Sequence, residues 1–319
     1  MNGKFTRREA LASAGVLAAA GMAAAPAASE TSPTFSTLRP PDEPFKYCLN
    51  TSTLMGQKLP IMETVEIAAK AGYTAVEPWI RELEQHKSAA PLKDLGKKIA
   101  DLGLTVESAI GFAPWIVDDD VKRAKGVEQM KREMDMVAEI GGKRIAAPPA
   151  GANDKPGLDL LKAAERYRAI CEIGDKIGIV PEMEFWGSAK SMSTLAEAAF
   201  VALQSGHPKA CLLADIYHLH KGGSGHDSIR LLSGDAIHVI HTNDYPADPP
   251  RETVTDAHRV YPGDGVAPLT AFFKNLKAIG FTGHLSVELF NREYWKLDAL
   301  TVARTAFEKT RAAVKKAFA

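Results

Sequence analysis

The 319-residue chain has only three cysteines, Cys48, Cys171 and Cys211, and none of them forms a C-x-x-C pair. A thiolate metal site is therefore excluded, and an odd count leaves at least one thiol unpaired within the monomer. All three lie in apolar runs and read as buried free thiols. Basic excess is also missing, because 39 Lys and Arg stand against 39 Asp and Glu. Without it the chain makes a poor partner for a phosphate backbone, and nucleic acid is set aside as a substrate. No G-x-G-x-x-G follows the first apolar run, so an open dinucleotide-binding sheet loses its main support. No long apolar run supports a stable membrane anchor either.

What is present begins with residues 1–28, which have a basic start (Lys4, Arg7, Arg8), a weakly apolar Ala-rich middle and small residues at the end. This is the pattern of an export signal and not of a fold element. Thr6-Arg7-Arg8-Glu9-Ala10-Leu11 resembles a twin-arginine signal, with Ala10 where Phe is usual. The resemblance implies export to the periplasm of an already folded protein. Removing residues 1–28 leaves 36 basic against 38 acidic side chains, so the mature chain stays free of basic excess. Residues 29–45 form a lead-in carrying Pro33, Pro40, Pro41 and Pro44, and residues 46–319 form the expected single domain.

From residue 46 the chain repeats one beat, a short apolar run followed by a longer helical pattern. The runs are Lys46–Thr51, Thr74–Trp79, Thr105–Phe112, Arg144–Ala150, Ile179–Trp186, Ala210–His218, Ala236–Asp244 and Gly283–Phe290. Gly72, Gly103, Gly178 and Gly280 end helical patterns just before a new run, where a left-handed residue stops a helix. Eight strand–helix units in this length predict an α/β fold of the (β/α)8 TIM-barrel type, whose chemistry gathers at the carboxyl ends of the strands.

Four consecutive runs deliver polar residues at those ends. Run five gives Glu184, with Glu182 two residues earlier on the same side; run six gives Asp215 and then His218; run seven gives His241; run eight gives Glu288. Three carboxylates brought that close repel one another unless a divalent cation lies between them. The set Glu184, Asp215, His241 and Glu288 is hard and free of thiolate, which favours Mn²⁺, with Mg²⁺, Co²⁺ and Zn²⁺ as alternatives.

E-F-W-G at 184–187, D-I-Y-H-L at 215–219, H-T-N-D at 241–244, D-A-H-R-V-Y-P-G-D-G at 256–265 and V-E-L-F at 287–290 together resemble the xylose isomerase-like TIM-barrel superfamily. The resemblance implies one metal held by Glu184, Asp215, His241 and Glu288, with Glu184 and Glu288 carrying protons to and from a carbohydrate. It further implies substrate contacts from His218 and Arg259. Glu77, Trp115, Trp186 and Lys221 are additional candidates for substrate binding, each with a plain packing or turn role as its rival. The activity implied is a metal-dependent sugar isomerase or epimerase working through an enediolate. The runner-up is a lyase that uses the same bases to expel a β-leaving group from a keto-sugar. A non-catalytic sugar-binding barrel has no use for two opposed bases. Asp256 and His258 resemble extra zinc ligands of a nuclease branch, but the histidines expected with them on runs two and three are missing. Oligomeric state stays open, with a homo-oligomer compatible with this reading.

Overall fold

The computed structural model describes residues 43–319. The expected export segment and most of the Pro-rich lead-in lie outside the described residues. Eight parallel strands follow in order: β1 (Lys46–Asn50), β2 (Ala75–Glu77), β3 (Thr105–Val106), β4 (Arg144–Ala147), β5 (Val180–Glu184), β6 (Cys211–Asp215), β7 (Ile237–Thr242) and β8 (His284–Val287). Ladders connect them in the sequence β3-β2-β1-β8-β7-β6-β5-β4. Across the remaining seam the Ala146 amide donates to the Ala109 carbonyl at 2.8 Å. This is a TIM barrel. Its jacket comprises α1 (Ile61–Ala71), α2 (Ile80–Lys87), α3 (Leu92–Asp101), α4 (Asp120–Glu139), α5 (Leu160–Ile177), α6 (Leu195–Ser205), α7 (Ile216–Gly222), α8 (Leu269–Ala278) and α9 (Ala299–Phe318). Among the described residues no helix is long and apolar enough to cross a membrane.

Local chemistry sets these boundaries. Asp119, Asp159, Thr194 and Asp298 accept backbone amides at the starts of α4, α5, α6 and α9, satisfying donors that an uncapped helix leaves bare. The expected stops hold, since Gly72, Gly103, Gly178 and Gly280 all have φ between 73° and 105°. Burial follows the strand period of two. The outward residues of the strands, such as Leu49, Val76, Met183 and Ile240, pack under the helices, while Ala146, Leu213 and Val239 join Ile110 in a small apolar plug inside the barrel. Cys48, Cys171 and Cys211 are buried and free.

All eight strands are shorter than their apolar runs, and for two the cause is plain in the structure. β6 stops at Asp215 because that side chain accepts the His218 amide at 3.0 Å and starts α7, so His218 stands in a helical turn beside the barrel mouth. β3 breaks after Val106, where Glu107 turns to Lys143 and Arg144. The chain then re-pairs at Ile110, which exchanges backbone hydrogen bonds with Pro78 and Ile80. A Cβ on Gly111 would come within 2.5 Å of Glu133 Oε2, the movable end of that side chain. The re-paired segment carries Phe112 to the rim.

Candidate active site

The carboxyl ends of β5 to β8 bring four predicted residues to one place. Glu184 and Glu288 are each 5% exposed, Asp215 1% and His241 not at all, so their charges are removed from water and must answer to one another. His241 is pinned from behind, with Nε2 lying 3.2 Å from both oxygens of Glu77. Its other nitrogen, Nδ1, has no hydrogen-bond partner. It lies 3.2 Å from Glu288 Oε2, 3.7 Å from Asp215 Oδ2 and 3.9 Å from Glu184 Oε1.

A ring held by a carboxylate on one nitrogen is aimed to offer the other to a cation once its proton is displaced, the usual posture of a metal-binding histidine. Ligand atoms of Asp215, His241 and Glu288 all fall within 4.8 Å of one another. The orphaned Nδ1 and the hard donors around it therefore fit a divalent cation. Glu184 stands beside that trio, outside its span, with Oε1 3.9 Å from His241 Nδ1.

Burial and charge divide the carboxylates. Burial pushes Glu184 up to about 8, His241 working against the shift and Glu288 and Asp215 adding to it. Burial also acts to raise Asp215, but Arg259 and His218 outweigh it and hold the group well below the usual carboxylate range. His241 is opposed by its burial, yet Glu288 and Glu77 keep it well above an ordinary imidazole.

Arg259 is the internal counter-ion. Its Nη1 donates to Asp215 Oδ2 and Glu288 Oε2, both at 2.8 Å, and Nη2 donates to Asp256. The guanidinium is clasped between the rings of Tyr217 and Phe290, 4.5 and 5.1 Å from their centroids. His218 takes the Gly187 amide on Nδ1 at 3.2 Å, which assigns its proton to Nε2. That Nε2 faces Arg259 Nη2 at 3.3 Å, so two donors converge where an acceptor oxygen would satisfy both.

Asn50, at the end of β1, went unnoticed in the sequence. Its amide donates to Glu77 Oε2 at 3.0 Å and Glu288 Oε1 at 3.2 Å, while Oδ1 accepts from Ser52 N at 3.0 Å and Trp79 Nε1 at 2.9 Å. A polar residue ending an apolar run was the signal used for β5 to β8, and it applied to β1 as well. Ser286 Oγ, donating to Glu77 Oε2 at 2.6 Å, and Asn243 Nδ2, donating to Asp215 Oδ1 at 3.2 Å, complete the support.

Above these groups opens a cleft of about 310 Å³. Glu184, His218, Arg259, Glu288 and Asp256 line its polar side, and Trp79, Phe112, Trp186 and Phe290 line the other. Three expected substrate contacts lie elsewhere. Glu77 is fully buried beneath His241 and fixes that ring. Trp115 is likewise fully buried, its ring 6.0 Å from Tyr167, because the loop after β3 folds inward over α5. Lys221 donates to the Arg251 and Glu252 carbonyls, both at 2.9 Å, and ties a loop. A larger groove of about 900 Å³ between α2 and α4 gathers no such ligand trio among the described residues.

The sequence profile of the xylose isomerase-like TIM barrel matches residues 65–313. An inosose isomerase of Bacillus velezensis is 30% identical over 283 residues, covering 86% of this chain and 98% of the relative. A 3-dehydroshikimate dehydratase of Pseudomonas putida is 24% identical over 72% of this chain and 36% of its own length. Among solved structures, the IolI protein with a bound zinc atom superposes with a TM-score of 0.79 at 25% identity, covering 86% of this chain and all of the other.

Proposed function

The chain belongs to the xylose isomerase-like TIM-barrel family, and from that premise we propose that it is a divalent-metal-dependent isomerase or epimerase of a keto-sugar. The observation that carries the reading is the unpartnered Nδ1 of His241, fully buried and facing Glu288, Asp215 and Glu184 at the mouth of the barrel. The relatives and the zinc of the IolI protein support a metal-assisted sugar transformation in the isomerase, epimerase or dehydratase range.

Asp215, His241 and Glu288, joined by Glu184, would hold the ion, and Mn²⁺ suits the set best. Such an ion polarises a substrate carbonyl and makes the neighbouring C–H acidic. The chain's own groups do the rest. Glu184 and Glu288 take a proton from that carbon and return it. His218 Nε2–H and Arg259 Nη2–H converge on a substrate oxygen and stabilise charge that develops there. Asn50, Glu77 and Ser286 keep Glu288 and His241 aimed.

Exchange of substrate hydrogen for solvent deuterium on a panel of free keto-sugars tests the reading. Wild-type protein loaded with Mn²⁺ exchanges, and Glu184→Gln and Glu288→Gln each slow the exchange by about 10²–10⁴-fold with the fold intact. Undiminished exchange in both variants would sink it. The proposal includes twin-arginine export of residues 1–28 to the periplasm, and with it a non-phosphorylated substrate. Replacing Arg7 and Arg8 by Lys should keep the protein in the cytoplasm.

The second reading is elimination, favoured by the similarity to a dehydratase. A base that takes the proton beside a carbonyl also expels a leaving group one carbon further, with His218 Nε2–H as the donor nearest to hand. Release of water or an alcohol, against appearance of a stereoisomer, separates the two.

A further inference from the structure

The cleft is divided lengthwise. On one side stand the ionic groups that handle the reacting carbons. Opposite them Trp79, Phe112 and Trp186 form a continuous arc, with ring centroids 5.1 Å apart between Trp79 and Phe112 and 5.9 Å between Phe112 and Trp186. The Trp79 indole N–H is already taken by Asn50, so Trp79 and Phe112 offer a sugar hydroxyl no donor. Phe112 is 41% exposed at the rim, an apolar surface facing solvent beside a cleft, where burial by a ligand is favourable. The re-paired segment at Ile110 brings it there, through backbone hydrogen bonds to Pro78 and Ile80.

Resting on the reading above for its sugar end, we propose that the substrate is a sugar bearing a second, aromatic ring, which lies in the arc of Trp79, Phe112 and Trp186 while the sugar faces Glu184, Glu288, His218 and Arg259. An aromatic ring suits the arc because its edge meets the faces of the wall rings and its faces meet their edges, a geometry that adds to simple burial. The arc is then a specificity element, and the acids beneath it perform the same chemistry on whatever sugar it admits.

The test measures binding of phenyl β-D-glucopyranoside and methyl β-D-glucopyranoside to the Mn²⁺-loaded full chain by titration calorimetry and tryptophan fluorescence. The phenyl glycoside should bind at least about tenfold more tightly. Phe112→Ala, whose half-exposed position spares the fold as circular dichroism will verify, should shrink that gap to less than about threefold. Equal affinities for the two glycosides overturn the inference, and so does undetectable binding of the phenyl compound. A shift of the free protein from dimer to monomer in Phe112→Ala also overturns it, since Phe112 would then be an interface residue. Deuterium exchange on unsubstituted keto-sugars is read separately. If it persists while the phenyl preference is missing, this inference alone has failed.

Discussion

At the scale of single residues, the amide of Asn50 is the least conspicuous member of the site and one of the most constrained. All four of its hydrogen-bonding positions are used, and two of its partners are Glu288 and the Glu77 that pins His241. Removing such support weakens metal binding although the residue touches no metal. Asn50→Ala is expected to lower Mn²⁺ affinity by about 10–100-fold in a calorimetric titration. Unchanged affinity would show that the amide merely fills space. Residue type also explains what the sequence disclosed. Glu184, Asp215, His241 and Glu288 were legible because a charge ending an apolar strand has few explanations. Asn50 carries no charge and passed unseen. Trp115 carries the same letter whether it faces a cleft or a core, and only the inward fold of its loop onto Tyr167 decides between them.

At the scale of elements, α4 contains an acid that opposes its own burial. Glu133 is 4% exposed and receives Gln129 Nε2 at 2.7 Å on Oε1, while Oε2 has no partner. Burial raises it to about 7, with Glu84 adding to the shift and Gln129 and Arg132 working against it. A group whose folded value exceeds its ordinary 4.5 binds more protons folded than unfolded, so stability falls as pH rises through that interval. Chemical denaturation should find Glu133→Gln about 2–3 kcal/mol more stable than wild type at pH 8. At pH 4 the two should nearly coincide. If instead the difference is the same at both values, Glu133 is hydrated and its burial has been misread. Elements were the most legible level of the sequence, since all eight strands stand where the apolar runs placed them. Their ends were not, because the end of β6 is fixed by the Asp215 side chain and the end of β3 by ion pairs to β4, neither of which periodicity reports.

At the scale of the whole molecule, the barrel is unevenly closed. Ladders of several registered pairs join β6 to β7 and β7 to β8, whereas at the seam between β3 and β4 a single backbone–backbone hydrogen bond, from the Ala146 amide to Ala109, is found among the described residues. Hydrogen exchange should therefore find the Ala146 amide opening faster than the amides of Ile240 and Leu285. Equal protection would mean that the ring opens only as a unit. The candidate site draws its trio of Asp215, His241 and Glu288 from the well-closed arc, and a cation held by them would tie β6, β7 and β8 together. Adding Mn²⁺ at about 100 times its dissociation constant should stabilise the fold by about 2.7 kcal/mol, read as a rise in melting temperature. Stripping with a chelator should reverse that rise, and Asp215→Asn together with His241→Ala should abolish it.

A guanidinium does not surrender its proton in any medium a protein survives. By lodging Arg259 between two aromatic faces and giving one of its nitrogens to both Asp215 and Glu288, the fold keeps Asp215 negative while its surroundings turn sour and holds the two side chains at a set spacing. One anchor for an ion is thereby wired into the scaffold before any ion arrives.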